Sequence, residues 1–186
     1  MAPHKTVYDN SFILIDADKK YNYQSELTAK LDSGIELFDQ ETINEIVLWK
    51  VNRYATVKEE ALRLINNIHS KTTELDEDLT RNVLMALLQI KGIQLPMAST
   101  ILRFRNKNIY QIIDQRVYRI IYQDRRLKLK SYPSDKNLND QIELYLQYLK
   151  DLRTACKHLN IPFFLSDRIL FMADRRVNKD IPLDNY

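Results

Sequence analysis

The sequence predicts an all-α protein, and its shortage of turn-forming residues is the first reason. Glycine occurs twice in 186 residues and proline five times, which is too few for a sandwich or barrel with many tight turns. Apolar residues also recur at helical spacing, in a chain whose 45% hydrophobic and 28% charged residues are ordinary for a folded protein. The length suits one domain with a core, or two helical lobes that share one.

Residues 1–40 are predicted to form an N-terminal extension that includes the first helix. Gly34 ends this helix, and Asp39 has the position of a cap for the next one, with Glu41 in its first turn. In order, we expect an irregular stretch over 1–22 with a short strand at 12–15, a helix over 24–31, a helix after Asp39, and a helix over 57–68.

Residues 41–175 are predicted to form the main domain, and 176–186 a polar tail. The central element is a helical hairpin over 77–105. Gly92 tightens its turn, and Pro96 opens its second helix, where the missing N–H of proline costs nothing. The remaining elements are a helix over 114–122 and C-terminal helices over 138–175.

Positive charge is concentrated in one stretch, although the net charge of the chain is only +3. Nine basic residues and two acidic ones lie between residues 103 and 130, a net charge of +7 that leaves −4 for the remainder. Such a stretch suits a polyanionic partner. A solvated loop and helix face would explain it equally well.

Cysteine and histidine content limits the cofactors. The single cysteine, Cys156, excludes an internal disulfide and a four-cysteine iron–sulfur cluster, and the three histidines lack metal-ligand spacing. No apolar run of about 18 residues could span a bilayer. We therefore expect no metal, no cofactor, no membrane partner and a cytoplasmic, nucleoid-associated location. A monovalent cation at the hairpin turn stays an open alternative.

The short turn around Gly92 also has a chemical consequence. It directs backbone N–H groups and the positive N-terminus of the second helix outward together, which can hold a phosphate without reading a base. Ala98 and Ser99 are small, as the close approach of two helices requires. An ordinary helical hairpin with a glycine C-cap would show the same pattern.

Asp114 changes this interpretation, because it lies 18 positions beyond Pro96, at the start of an amphipathic helix. The segments 90–94 (Ile-Lys-Gly-Ile-Gln) and 113–119 (Ile-Asp-Gln-Arg-Val-Tyr-Arg), with Ala98 between them, resemble the helix-hairpin-helix DNA glycosylase superfamily, which includes endonuclease III. The resemblance implies a two-lobed helical fold without an iron–sulfur cluster, double-stranded DNA as partner, and Asp114 as catalytic carboxylate. A role as N-cap is the alternative for this aspartate.

A narrower similarity extends over most of residues 40–175. Trp49-Lys50 with Arg53, the Pro-Met-Ala-Ser segment 96–99, the tyrosine-rich helix around 145–149 and Asp-Arg-Ile-Leu at 167–170 are similar to a smaller bacterial branch of the superfamily. This similarity makes Trp49, Lys50 and Arg53 candidates for the wall of a base pocket. Core packing is the alternative for Trp49.

The resemblance also implies roles for single residues. Asp114 would stabilise an oxocarbenium-like sugar and orient water after the base has left the stack. Pro96 stands where bifunctional members carry a nucleophilic lysine, so a lyase is not expected, and Gln94 replaces the second turn glycine. The expected DNA contacts are Lys91, Gly92, Gln94, Ser99, Arg103, Arg116 and Arg119.

Three functions are compatible with these features. We favour a monofunctional DNA glycosylase that removes a modified or mispaired base. The alternatives are a catalytically silent DNA-binding protein of the same fold and a helical protein-interaction module. The sequence names neither the lesion nor an oligomeric state.

Overall fold

The structure, a computed structural model, divides the chain into two units, Met1–Tyr54 and Ala55–Tyr186. All regular elements of the described residues are helices. The division falls after Tyr54 rather than at residue 40, so the helix that follows Asp39 groups with the N-terminal one. The strand expected at 12–15 lies outside the described residues. These residues are 24–33, 39–51, 55–122, 126–130, 132 and 134–183.

The described part of the first unit consists of two helices, α1 (Ser25–Asp32) and α2 (Gln40–Lys50). Asp39 caps α2, since its carboxylate accepts a hydrogen bond from the backbone N–H of Thr42 at 2.8 Å. The sequence therefore located the start of α2 from local chemistry alone.

The second unit continues with helices that begin and end close to the predicted bounds. The hairpin helices start at residue 77 and end at residue 105, as predicted, and the long C-terminal helix starts three residues early because Ser134 caps it through the N–H of Asn137. The helices are α3 (Glu59–Asn67), α4 (Glu77–Leu88), α5 (Leu95–Arg105), α6 (Gln115–Ile121), α7 (Asp135–Leu159), a 3-10 turn (Phe163–Leu165) and α8 (Ser166–Val177).

The core of the second unit lies where α4 packs against α5 and α7. Leu84 and Leu87 of α4 and Leu95 and Leu102 of α5 are fully buried. Burial of one such side chain contributes about 1.5–3 kcal/mol, so the hairpin is part of the core and not an appendage. The helix α6 packs between α7 and α8. In the part of the chain that the structure describes, no helix is both long and apolar enough to cross a membrane.

Candidate functional site

The hairpin turn between α4 and α5 has a backbone conformation that favours glycine. The carbonyl of Ile90 accepts a hydrogen bond from the N–H of Ile93 at 3.0 Å. Gly92, the third residue of this turn, has a φ of 92°, as type II turns require at that position. An added Cβ would meet no atom within 4 Å, so the requirement for glycine is conformational and not steric. Lys91 and Gly92 are both exposed.

The start of α5 carries no side-chain cap. Gln94 precedes the helix in extended conformation, and its side chain makes no capping hydrogen bond. Pro96 has no N–H and Leu95 is fully buried, so the exposed Met97 supplies the backbone donor of the first turn that the helix itself does not use. This donor, the positive helix end and the exposed Lys91 nearby in sequence make this end of the hairpin attractive to an anion.

Asp114 lies at the start of α6 and does act as its cap. Its carboxylate accepts a hydrogen bond from the N–H of Val117 at 2.8 Å. The side chain is nevertheless largely buried, and burial raises the pKa of Asp114 above its ordinary value, against the backbone hydrogen bonds from Val117 and Arg116, which lower it. The negative charge of Asp174 adds to the increase in pKa. A cap alone would lower the pKa, so this carboxylate lies in an environment more typical of functional sites.

The irregular segment 110–114, which leads to Asp114, is held by two tyrosines of α7. The hydroxyl of Tyr145 donates to the carbonyl of Gln111 at 2.9 Å, and that of Tyr148 donates to the carbonyl of Ile112 at 2.7 Å. Burial raises the pKa of both tyrosines well above the ordinary value, so both hydroxyls stay protonated as donors. The backbone position of Asp114 is thus fixed from α7.

Ser99 holds the same segment from the hairpin side. It is fully buried, which differs from the exposed position expected for a DNA contact. Its hydroxyl donates to the carbonyl of Pro96 at 2.8 Å and accepts from the N–H of Ile113 at 3.2 Å. A single side chain therefore links the helix that follows the turn to the residue before Asp114.

We expect Ser99→Ala to lower the free energy of unfolding by about 1–3 kcal/mol, because it leaves the buried N–H of Ile113 without a partner. Urea denaturation measures this loss. Thr100→Val is the matched control, since the hydroxyl of Thr100 also donates to the carbonyl of Pro96, at 2.8 Å, but makes no bond to Ile113. Equal losses in the two variants would show that the link to Ile113 contributes nothing.

Arg103 was expected to contact DNA, but it lies inside the fold. Its Nε atom is 3.3 Å from Oδ2 of Asp167, and the two side chains are only 6% and 4% exposed. It also donates to the carbonyl of Phe164 at 3.4 Å. Burial in this pair gives Arg103 the role of joining α5 to α8, so a DNA contact from it has no support in the structure.

Arg116 and Arg119 are likewise engaged within the protein. The guanidinium of Arg119 donates to both carboxylate oxygens of Asp174, at 2.6 and 2.8 Å, and Arg116 donates to one of them at 3.1 Å. Burial of Asp174 would raise its pKa, but these arginines and Asn178 outweigh burial and leave the pKa lowered. The two arginines join α6 to α8, so Asp174 offsets part of the positive charge of this stretch within the protein.

The candidate residues of the base pocket belong to the first unit. The indole N–H of Trp49 donates to the hydroxyl of Thr28 at 2.9 Å, so the tryptophan helps to join α2 to α1. Lys50 ends α2 and is exposed. Arg53 lies outside the described residues. The role of these three residues in a base pocket stays a prediction.

Asp167 and Asp174 were missed as partners of the arginines. They are seven residues apart on α8, which places them on one helix face with the buried Leu170 between them. Two acids on the buried face of a basic helix are a signal that could have predicted buried ion pairs. Among the described residues, no three side chains of His, Cys, Asp or Glu are grouped to hold a metal.

Comparisons with models of protein families, with curated proteins and with solved structures gave no match. The function is therefore argued from the turn, from Asp114 and from the contacts that join them.

Proposed function

We propose that the protein is a monofunctional DNA glycosylase, which hydrolyses the N-glycosidic bond of a modified or mispaired base in double-stranded DNA. One observation carries the proposal. The carboxylate of Asp114 is largely buried and has a raised pKa. Ser99 links the backbone just before it to α5, the helix that begins after the glycine turn. The resemblance in sequence points to the same two features.

The turn would hold the DNA. Its exposed Lys91, the glycine at position 92 and the uncapped start of α5 after Gln94 offer positive charge and backbone donors to a phosphate. Such contacts fix the position of the backbone without reading the sequence, as an enzyme that searches for single lesions needs.

Asp114 would act on the sugar once the base is out of the stack. Its ionised carboxylate stabilises positive charge that develops at the anomeric carbon, and it orients or deprotonates the attacking water. The base leaves with the electron pair of the glycosidic bond and takes a proton from solvent, while the attacking water gives up a proton and forms the new bond to the anomeric carbon. Pro96 offers no amine at the start of α5, so the expected product is an intact abasic strand and not a Schiff base with cleavage.

Duplexes that each contain one modified or mispaired base test the proposal. The full chain is incubated with each duplex, and alkali then cleaves any abasic site that has formed. Cleavage that depends on alkali supports a monofunctional glycosylase. DNA binding without base release on every duplex would support the silent DNA-binding alternative. No binding at low salt would leave the protein-interaction module.

Two substitutions at Gly92 test the turn. Gly92→Glu and Gly92→Lys force the same backbone strain, of about 1–2 kcal/mol, on a position with positive φ. They differ in charge, so we expect the glutamate variant to bind duplex DNA at least about tenfold more weakly than the lysine variant. Fluorescence anisotropy at low salt measures the difference. Equal affinities would place the phosphate contact elsewhere.

A further inference from the structure

The exposed face of α8 is more positively charged than the sequence of the helix suggests. The helix contains Asp167 and Asp174, but both carboxylates are buried. Asp167 lies beside one arginine of α5 and Asp174 is paired with two arginines of α6, as described above. The fold therefore removes both negative charges of α8 from its surface. The basic residues of the helix are left without acidic neighbours on the same helix.

These basic residues lie on one face. Arg168, Arg175 and Arg176 are spaced by seven and eight residues, which is two helical turns, and Lys179 follows just beyond the helix. All four are exposed. Within the described part of the chain none of the four takes part in an ion pair. We name this set, with the exposed Met172 in its middle, the α8 basic stripe.

Complementing the helix dipole does not explain the whole stripe. Arg175 and Arg176 lie in the last turn of α8, where positive charge is favourable. Arg168, however, lies in the first turn, where the same dipole disfavours it. A partner that supplies negative charge along the full length would account for all three arginines.

The dimensions and polarity of the stripe favour a nucleic acid over a membrane. The eight helical steps from Arg168 to Arg176 span about 12 Å, which corresponds to about four phosphates along one strand of a duplex. A helix that lies in a membrane surface needs a broad apolar face. The apolar residues of α8 do not form such a face: Leu170 is buried in the core and Phe171 packs against it, while the exposed Ile169, Met172 and Val177 are interleaved with the arginines.

We propose that the α8 basic stripe binds the phosphate backbone of DNA, as a second contact surface besides the hairpin turn. The proposal rests on DNA as the partner of the proposed function, but it does not depend on base release. The contacts would be independent of sequence, and each arginine would displace about one counterion from the DNA.

A triple substitution, Arg168→Gln with Arg175→Gln and Arg176→Gln, tests the stripe in the full chain. Lys58→Gln with Lys71→Gln and Lys136→Gln is the matched control, because it removes the same charge from exposed positions elsewhere. Anisotropy with a duplex of about 20 base pairs is measured over a series of salt concentrations. We expect the stripe variant to bind at least about tenfold more weakly, with a salt slope smaller by about 2 to 3, and the control to change much less.

The outcomes separate this inference from the proposed function. A stripe variant that binds duplex DNA as the control does would overturn the inference, whatever the hairpin does. The same stripe variant is also tested on vesicles that contain phosphatidylserine. Loss of vesicle binding with unchanged DNA binding would likewise overturn the inference. If Gly92→Glu weakens DNA binding and the stripe variant does not, only the stripe is rejected. The reverse result rejects the hairpin contact and keeps the stripe. A thermal melt of each variant shows that it is folded.

Discussion

Replacing Asp114 by asparagine is expected to reduce base release by at least about a hundredfold, the effect typical of removing one group that stabilises or deprotonates in a transition state. The same variant should be as stable as the original protein at neutral pH, or slightly more stable. Asparagine caps helices as well as aspartate does, and it carries no charge that burial would penalise.

The pH dependence of stability gives a second measurement of the same residue. Burial raises the pKa of Asp114 in the folded protein, so its contribution to stability is complete below the unfolded pKa of about 3.9 and is lost as pH rises through the folded pKa. The stability advantage of Asp114→Asn should therefore be present at neutral pH and disappear near pH 4. Thermal melts at the two pH values measure it.

Asp76→Asn is the matched control for this experiment. Asp76 caps α4 in the same way, accepting from the N–H of Leu79 at 2.9 Å, but it is exposed. It should leave base release unchanged. Base release at the original rate in Asp114→Asn would refute the catalytic role. A clear loss of stability at neutral pH would contradict the burial argument.

Replacing Asp167 by alanine is expected to cause the largest loss of stability, about 3 to 5 kcal/mol in the free energy of unfolding. Among the described residues, the buried guanidinium of Arg103 would then keep the carbonyl of Phe164, at 3.4 Å, and the ring of Phe104, 5.2 Å from its centroid, but no negative charge. For a chain of this length the melting temperature should fall by roughly 6 to 20 °C. Urea denaturation and calorimetry measure the two quantities.

A double substitution tests whether the loss of stability comes from the single charge that Asp167→Ala leaves buried. Nε of Arg103 and Oδ2 of Asp167 are close, but they do not form a hydrogen bond, so the pair repays little of the cost of burying two charges. Arg103→Met with Asp167→Leu should therefore be more stable than Asp167→Ala. The single variants Arg103→Met and Asp167→Leu are measured as well. A double variant that loses as much stability as these two together would show that the charges are not coupled.

Local chemistry explains what could be predicted from the sequence. Asp39, Asp114, Pro96 and Gly92 act on their own neighbours through caps and turns, so the helices near them could be located without knowledge of the fold. Their contacts span three or four residues. The same holds for the all-helical class, which depends on spacing within single helices.

The partners of the basic residues could not be predicted in this way. Arg116 and Arg119 meet Asp174, which is 58 and 55 residues away along the chain. A run of positive charge in the sequence does not say which residues face the core. Only the packing of α6 against α8 turns these arginines inward and leaves the arginines of α8 outside.

The bond between Ser99 and Ile113 has a consequence for the lifetime of the site. The N–H of Ile113 is buried and bonded, so it exchanges with solvent only when α5 separates from the segment before Asp114. Neighbouring helices hold that segment on both sides, and its opening takes apart much of the core. The backbone at Asp114 should accordingly open about as rarely as the second unit unfolds, although it belongs to a connection between helices.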